Sequence, residues 1–403
     1  MNFKLLSIAF FTMIFISSCK KDEVVDESPV TTVKIAGLFS ITGNGSTMGV
    51  NSREAMNLAI ADVNQYLEQR GSKYRFSGMV YDTQLDTTLT KTQFETARSN
   101  GARFILGPQT SAECRAILPS ANDNQVMVIS QNSTASSLSI PNDALFRMCP
   151  GDGPEGQAIS RTMYNSGKRM MITLSRNDVG NLGLQISVNS KFTSLGGQID
   201  SLAPYATNIT DFTPIIQQLR TKIQQYTNTF GSSQVGVYIA SFDECVLLFN
   251  QAVNDTILNS VNWYGGDGVV QSTALLNDAN ARDFAIATGF FAPTFGLPAA
   301  ANPNLTTVQS AIQNATGLVP DAVVLSVYDA VWLIARTVAS YEGVLNDFGK
   351  LKSDFLNEAN QYFGITGPTV LNSSGDRALG SFDYYGIVNQ NGVYSWQVVG
   401  TSN

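Results

Sequence analysis

Ala102-Arg103-Phe104-Ile105-Leu106-Gly107-Pro108-Gln109-Thr110-Ser111 decides how the rest of the chain is read. An apolar run meets Gly-Pro, then hydroxyl residues, then a helical pattern from Ala112 to Ala121. That order is a strand handing over to a helix, with Thr110 and Ser111 at the junction. The first turn of a helix has backbone N–H groups without partners and carries the positive end of the helix dipole. A small carboxylate or phosphate fits there. The pattern then recurs: Val126-Met127-Val128-Ile129-Ser130 is a second strand, tipped by Gln131-Asn132-Ser133-Thr134. Taken alone, Ser111 reads as an ordinary N-cap. Two neighbouring strand ends tipped with hydroxyls make an anion cradle at the edge of an α/β sheet, where such sheets place their ligands.

On either side of this stretch, strand and helix patterns alternate. Val33–Phe39 and Phe76–Tyr81 read as strands, and Ser52–Leu67 and Thr88–Ser99 as helices. Ala144–Met148 closes the first series, and Cys149-Pro150-Gly151-Asp152-Gly153-Pro154 breaks it. The alternation restarts with a helix at Glu155–Tyr164 and a strand at Arg169–Leu174, and runs on to a strand tip at Val261–Tyr264 ending in Gly265-Gly266-Asp267-Gly268. Repeated βα units imply parallel sheets with helices on both faces. Two series divided by a Pro/Gly break suggest two doubly wound lobes. Later come a short strand at Phe290–Thr294, helices at Thr306–Ala315, Ala322–Ala339 and Asn346–Tyr362, and a hairpin around Asn391-Gly392.

The head of the chain speaks to location. Lys4 precedes twelve mostly apolar residues, Leu5 to Ile16, and then Ser17-Ser18-Cys19. A spanning helix needs about 20 apolar residues, so this is the core of a signal peptide. The small residues before Cys19 look like a lipoprotein cleavage box, with the cysteine lipidated. Residues 1–18 are therefore expected as signal and 19–30 as a flexible polar tether. The charged run after Cys19 resembles a signal for export to the outer surface. No later segment reads as long and apolar enough to span a membrane.

Composition narrows the function. Without Lys4, 24 basic residues face 32 acidic ones, so nucleic acid is not an expected partner. Histidine is absent, which excludes Ser-His-Asp and Cys-His catalysis and any His-ligated metal. There is no Gly-x-Ser-x-Gly elbow and no Gly-Lys-Ser/Thr loop. Neither enzyme, metal site nor cofactor is expected. Cys114, Cys149 and Cys245 lack CxxC spacing and read as small buried thiols with at most one bridge among them.

Several segments in order carry a resemblance. They are Lys34-Ile35-Ala36-Gly37-Leu38-Phe39-Ser40 with Thr42-Gly43 and Gly49, Asn57 to Asn64, Leu106 to Ser111, Val128-Ile129-Ser130 leading to Thr134, and Ser326-Val327-Tyr328-Asp329-Ala330-Val331. With these the chain resembles the type I periplasmic binding proteins, specifically the branched-chain amino acid receptors of ABC importers. The resemblance runs from Val33 to Val399. It implies two lobes joined by three crossings, about 31–148 plus 293–364 and about 149–289 plus 368–403. Periodicity alone does not give the crossing back near 290.

The resemblance also implies a site. Ser111 and Thr134, with Thr110 beside them, would hold a ligand carboxylate. The carbonyl of Asn132 would face its ammonium, and Asp267 of the second lobe would neutralise that charge. Met48 and Val179 stand where aromatic residues often shield the ligand, and Phe242 matches a third such contact. The implied pocket is wider and less polar than the family pattern. The expected function is a lipid-anchored receptor that closes on a small amino acid or related amphiphilic carboxylate and is read by an ABC permease. The alternatives are a sensory module, or a ligandless scaffold acting through a protein partner.

Overall fold

A computed structural model describes residues 29–297, 302–340, 344–378 and 380–402. The expected signal, the expected lipidation site at Cys19 and nearly all of the expected tether lie outside them. The first series is β1 (Thr31–Phe39), α1 (Ser46–Gln69), β2 (Tyr74–Asp82), α2 (Thr87–Ser99), β3 (Phe104–Leu106), α3 (Ser111–Asp123), β4 (Met127–Ser130) and β5 (Leu145–Arg147). The second is α4 (Asp152–Asn165), β6 (Met170–Ser175), α5 (Val179–Ser194), β7 (Gln198–Ser201), α6 (Thr213–Phe230), β8 (Val235–Ala240), α7 (Cys245–Ala252), β9 (Asn262–Gly265), α8 (Thr273–Asn277), α9 (Ala279–Ala287) and β10 (Phe291–Phe295). Then come α10 (Leu305–Thr316), α11 (Ala322–Ser340), α12 (Phe348–Ala359), the short β11 (Phe363–Gly364) and β12 (Gly367–Pro368), and the hairpin β13 (Phe382–Gln390) and β14 (Val393–Thr401).

The first sheet has the order β2-β1-β3-β4-β5, with every pairing parallel. The second runs β14-β13-β10-β9-β8-β6-β7, parallel from β7 to β10 and antiparallel at β13 and β14. Strand order reverses between β1 and β3 in one sheet and between β6 and β8 in the other. A sheet places its ligand at such a switch point, outside the carboxyl ends of the strands. The central strands β3, β4, β6 and β8 are buried along their whole length, as strands covered on both faces are. In the first lobe, Ala55, Met56, Ala59 and Val63 of α1 pack with Leu325, Val331 and Ile334 of α11.

Two expected boundaries move. Residues 293–295 belong to the second lobe, because β10 pairs with β9 and β13 through Phe295. The return at 368 also comes later. Leu371 sits in the first-lobe core, and Asp376 bridges Arg147 at the edge of β5. The chain joins the second sheet only at Phe382. In both places the apolar pattern runs straight across the boundary, so sequence periodicity could not place it.

One expectation about membranes is corrected. By length and composition α11 could cross a membrane, but 83% of its apolar window is buried inside the protein. Its polar residues are spoken for: Asp329 accepts from the N–H groups of Ile365 and Thr366, and the Tyr328 hydroxyl donates to Asp62. It is the core helix of the first lobe.

The crossings are tied by two buried arginines. Arg147 pairs with Asp376 at 2.5 Å and donates to the carbonyls of Ser133 and Ala135. Arg377 donates to the carbonyls of Met148, Thr366 and Pro368. The cysteines Cys114, Cys149 and Cys245 are free and buried.

Candidate functional site: the cleft between the lobes

The turn after β3 is fixed by Gly107. Its φ is +84°, and a Cβ there would stand 2.3 Å from the Leu38 carbonyl oxygen, so only glycine lets the chain pass β1. Gln109 then reaches back across the switch point. Its Oε1 accepts from Ser40 N at 2.7 Å, and its Nε2 donates to the Gly45 carbonyl at 3.2 Å. Thr110 is the N-cap of α3 and forms a capping box with Glu113. Its N–H and its hydroxyl both donate to Glu113 Oε2, at 3.1 and 2.6 Å. Thr110 borders the cleft, yet its polar groups are committed to the helix.

Ser111 begins α3 and is buried. Its Oγ accepts from Ala135 N at 3.1 Å and lies 3.2 Å from Ser133 Oγ. This ties the first strand tip to the second. Across the cleft, Gly180 of the second lobe stands near Ser111, where a Cβ would lie 3.5 Å from Ser111 Oγ. Thr134 sits where the second tip meets α4: its carbonyl accepts from Asp152 N at 2.9 Å, and its hydroxyl faces the Asp152 carboxylate.

The second lobe offers a wall rich in acids. Asp178 caps α5 by accepting from Gly180 N and Asn181 N, each at 3.0 Å. Arg176 lies 3.0 Å from Asp178 and 3.1 Å from Glu244, and its guanidinium stands 5.4 Å from the Phe242 ring centre. Asp267 follows β9, and its N–H donates to Glu155 Oε1 at 3.2 Å.

Hydrogen bonds between the lobes hold the cleft closed. Asn44 donates to Glu244 at 3.1 Å and accepts from Asp243 N at 3.0 Å. Gly45 N donates to Asp243 at 2.9 Å. The hydroxyls of Thr47 and Thr273 lie 2.9 Å apart. Burial pushes the Asp243 carboxyl up, against the pull of Ser272 and Gly45.

Of the sequence candidates, the structure gathers Met48, Thr110, Asn132 and Phe242 around one gap, together with Gln109 and Asp243. It encloses about 390 Å³ between atoms, part of it open to solvent. Val179 lies farther out, at the mouth, with Arg176, Asp178 and again Phe242. Ser111, Thr134 and Asp267 do not border this inner gap; they stand behind it, linked through Ala135, Asp152 and Glu155. The gap is narrower than Met48 and Val179 suggest, and most of its lining is apolar. Gln109, Thr47 and Asp243 contribute its polar groups, and the hydrogen bonds of Asn44 and Gly45 narrow it. Sequence reasoning missed Gln109, Asn44, Asp243 and Glu244. A signal was present in Asp243-Glu244, two acids directly after the tip of β8.

The profile of a family described as the receptor family ligand binding region matches residues 51–390. An uncharacterized protein of Methanocaldococcus jannaschii is 26% identical over 410 residues, 96% of this chain and 94% of that protein. Among solved structures, the leucine binding protein LivK of Thermotoga maritima has a TM-score of 0.73 at 21% identity, covering 92% of this chain and 99% of that one. LivJ of Streptococcus pneumoniae, a branched-chain amino acid transporter substrate binding protein in complex with isoleucine, gives 0.71 at 18%, with coverage of 92% and 99%. A solute binding protein of R. palustris in complex with benzoate gives 0.72 at 15%, with coverage of 92% and 96%. The fold is that of the type I periplasmic binding proteins.

Proposed function

The chain belongs to the receptor family that this ligand-binding region defines, and we propose that it is the solute-binding component of an ABC importer. It is held outside the cytoplasm by a lipid on Cys19, and it closes its lobes on a small amino acid or a related amphiphilic carboxylate. The observation that carries this reading is the pair of facing switch points, with Gln109 and Thr110 on one side and Phe242 and Asp243 on the other. The two sides differ in charge. The start of α3, with Ser111 and Thr134 close by, suits an anionic end. Asp267 suits a cationic one.

Closure about the three crossings brings these sides together. The ligand favours the closed form by the difference in its affinity for the two forms, and a membrane permease would read that form. Thermal melting of the body from about Thr31, refolded to strip carried ligand, tests the proposal against a panel of amino acids and small carboxylates. A rise in melting temperature with one chemical class is expected, since a ligand that binds only the folded state stabilises it. A flat panel overturns it. One observation favours a second reading: the lobes already hold each other through Asn44, Asp243, Thr47 and Thr273, as a ligandless scaffold would need. The flat panel would support that reading.

A further inference from the structure

Behind the inner gap three carboxylates meet where the chain first enters the second lobe. Asp152 and Glu155 lie in the first turn of α4, 0% and 1% exposed. Asp267 joins them through its N–H, which donates to Glu155. Asp152 Oδ2 accepts from Ser136 N at 3.2 Å, while its Oδ1 has no hydrogen-bond partner. Tyr238 of β8 points into the same place. It is wholly buried, its hydroxyl has no partner, and a Cβ on Gly266, the residue before Asp267, would stand 3.1 Å from that oxygen.

The surroundings do not neutralise the cluster. Arg147 acts on Asp152, but its guanidinium is held by Asp376 and the carbonyls of Ser133 and Ala135. Asp321 adds another acid that acts on Asp267. Cys149 and Tyr384 are the other titratable neighbours. Among the described residues no group of His, Cys, Asp and Glu converges as a metal site. Burial raises the proton affinity of all three carboxyls, and repulsion between acids adds to it at Glu155 and Asp267, while Thr134, Ser136 and Arg147 pull Asp152 back. Asp152 is pushed up to about 6, and Glu155 and Asp267 are raised as well, burial leading each time.

We infer that Asp267, Glu155 and Asp152, with the Tyr238 hydroxyl, form a seat for the cationic end of the ligand, and that the cleft takes a small solute of net positive charge, a basic amino acid or a diamine. The inference rests on the solute-receptor reading and narrows it. A single ammonium against Asp267 leaves Asp152 Oδ1 and the Tyr238 oxygen without a hydrogen-bond partner, and buried polar groups demand one. A ligand with a second nitrogen supplies it and drives protons off the cluster. Glu155 is then the residue that sets specificity for charge.

Calorimetric titration of the refolded full chain with lysine, arginine, putrescine, leucine and benzoate tests this, at about pH 6 and about pH 8. The expected result is that a cationic member binds at least about tenfold more tightly than leucine, more tightly at the higher pH, with release of about one proton. Glu155→Gln should remove most of that preference and the proton release. Tyr238→Phe, which deletes only the unpartnered oxygen, should weaken the cationic ligand several-fold without lowering the melting temperature. Leucine or benzoate binding as tightly as any cation, unchanged in both variants, overturns the inference and leaves the receptor reading standing. A panel in which nothing binds overturns both.

Discussion

Glu113 and Glu155 occupy the same kind of position, one in each lobe. Each lies in the first turn of a helix, where a negative side chain favours the dipole. Each is shut away from water, at 0% and 1% exposure, and burial raises the proton affinity of both. They differ in what faces them. Glu113 accepts from the N–H and hydroxyl of Thr110 and from the hydroxyl of Thr90. Glu155 accepts from the N–H of Asp267 and otherwise faces two more acids. A buried carboxylate at a helix start thus builds the fold when donors converge on it and awaits a ligand when they do not. The wall carrying the conspicuous hydroxyl motif is largely satisfied internally, whereas the cluster around Glu155 keeps Asp152 Oδ1 and the Tyr238 hydroxyl unpartnered.

Removing a charge from the acid wall should have the largest effect. Asp267→Ala is expected to cost about 2–5 kcal/mol of ligand affinity, the cost of truncating one partner of a desolvated charge pair. Calorimetric titration reads it, and an unchanged dissociation constant would take the ligand away from this wall. The matching change on the satisfied wall should act on stability instead. Glu113→Ala orphans the N–H and hydroxyl of Thr110, while Thr90 keeps its bond to the Asp86 carbonyl, and should cost about 2–3 kcal/mol in denaturant unfolding. A midpoint equal to that of the parent would mean the capping box is dispensable and the contrast between the two glutamates is false.

Ser111 belongs to both walls' accounts, so its effect should be smaller. Ser111→Ala removes a candidate ligand donor and the acceptor for Ala135 N–H. About 1–2 kcal/mol of affinity should be lost, with a slight fall in melting temperature. If melting falls and affinity does not, the hydroxyl serves only to tie the two strand tips together.

Much of this architecture is legible in the chain. The order strand, Gly-Pro, hydroxyls, helix is enough to place Thr110 and Ser111 at a strand end, because Gly107 and the capping box are local chemistry. The alternation of elements yields two doubly wound lobes, since burial on both faces leaves apolar runs separated by turns. The crossings are not legible at residue level: Phe295 and Leu371 are as apolar on one side of a boundary as on the other. Nor is the acid cluster, whose members are brought together by β9 passing beside the start of α4. Glu155 and Asp267 stand far apart in the chain, and Glu155 reads as an ordinary first-turn acid. The gap, too, depends on contacts between Asn44 and Asp243 that no periodicity reveals.

The smallest effect is also the sharpest test of the two glutamates, because it concerns the empty protein. A carboxyl whose proton affinity is raised by folding stabilises the folded state fully below the ordinary carboxylate range, near pH 4. That contribution is lost as pH rises through the folded-state value. Glu113 and Glu155 both have this sign, so without ligand the parent protein should melt lower at about pH 8 than at about pH 5. Glu155→Gln has no proton to lose there. Its melting curve should be flatter across that window and should lie above the parent's at the alkaline end. Glu113→Gln should instead lie below the parent at both ends, because an amide cannot accept from Thr110 and Thr90 as a carboxylate does. Two variants displaced downwards in parallel would place Glu155 among the groups that hold the fold, with Asp267 N–H as its purpose. Curves that separate only as pH rises would tie the difference to charge left uncompensated in the empty cleft.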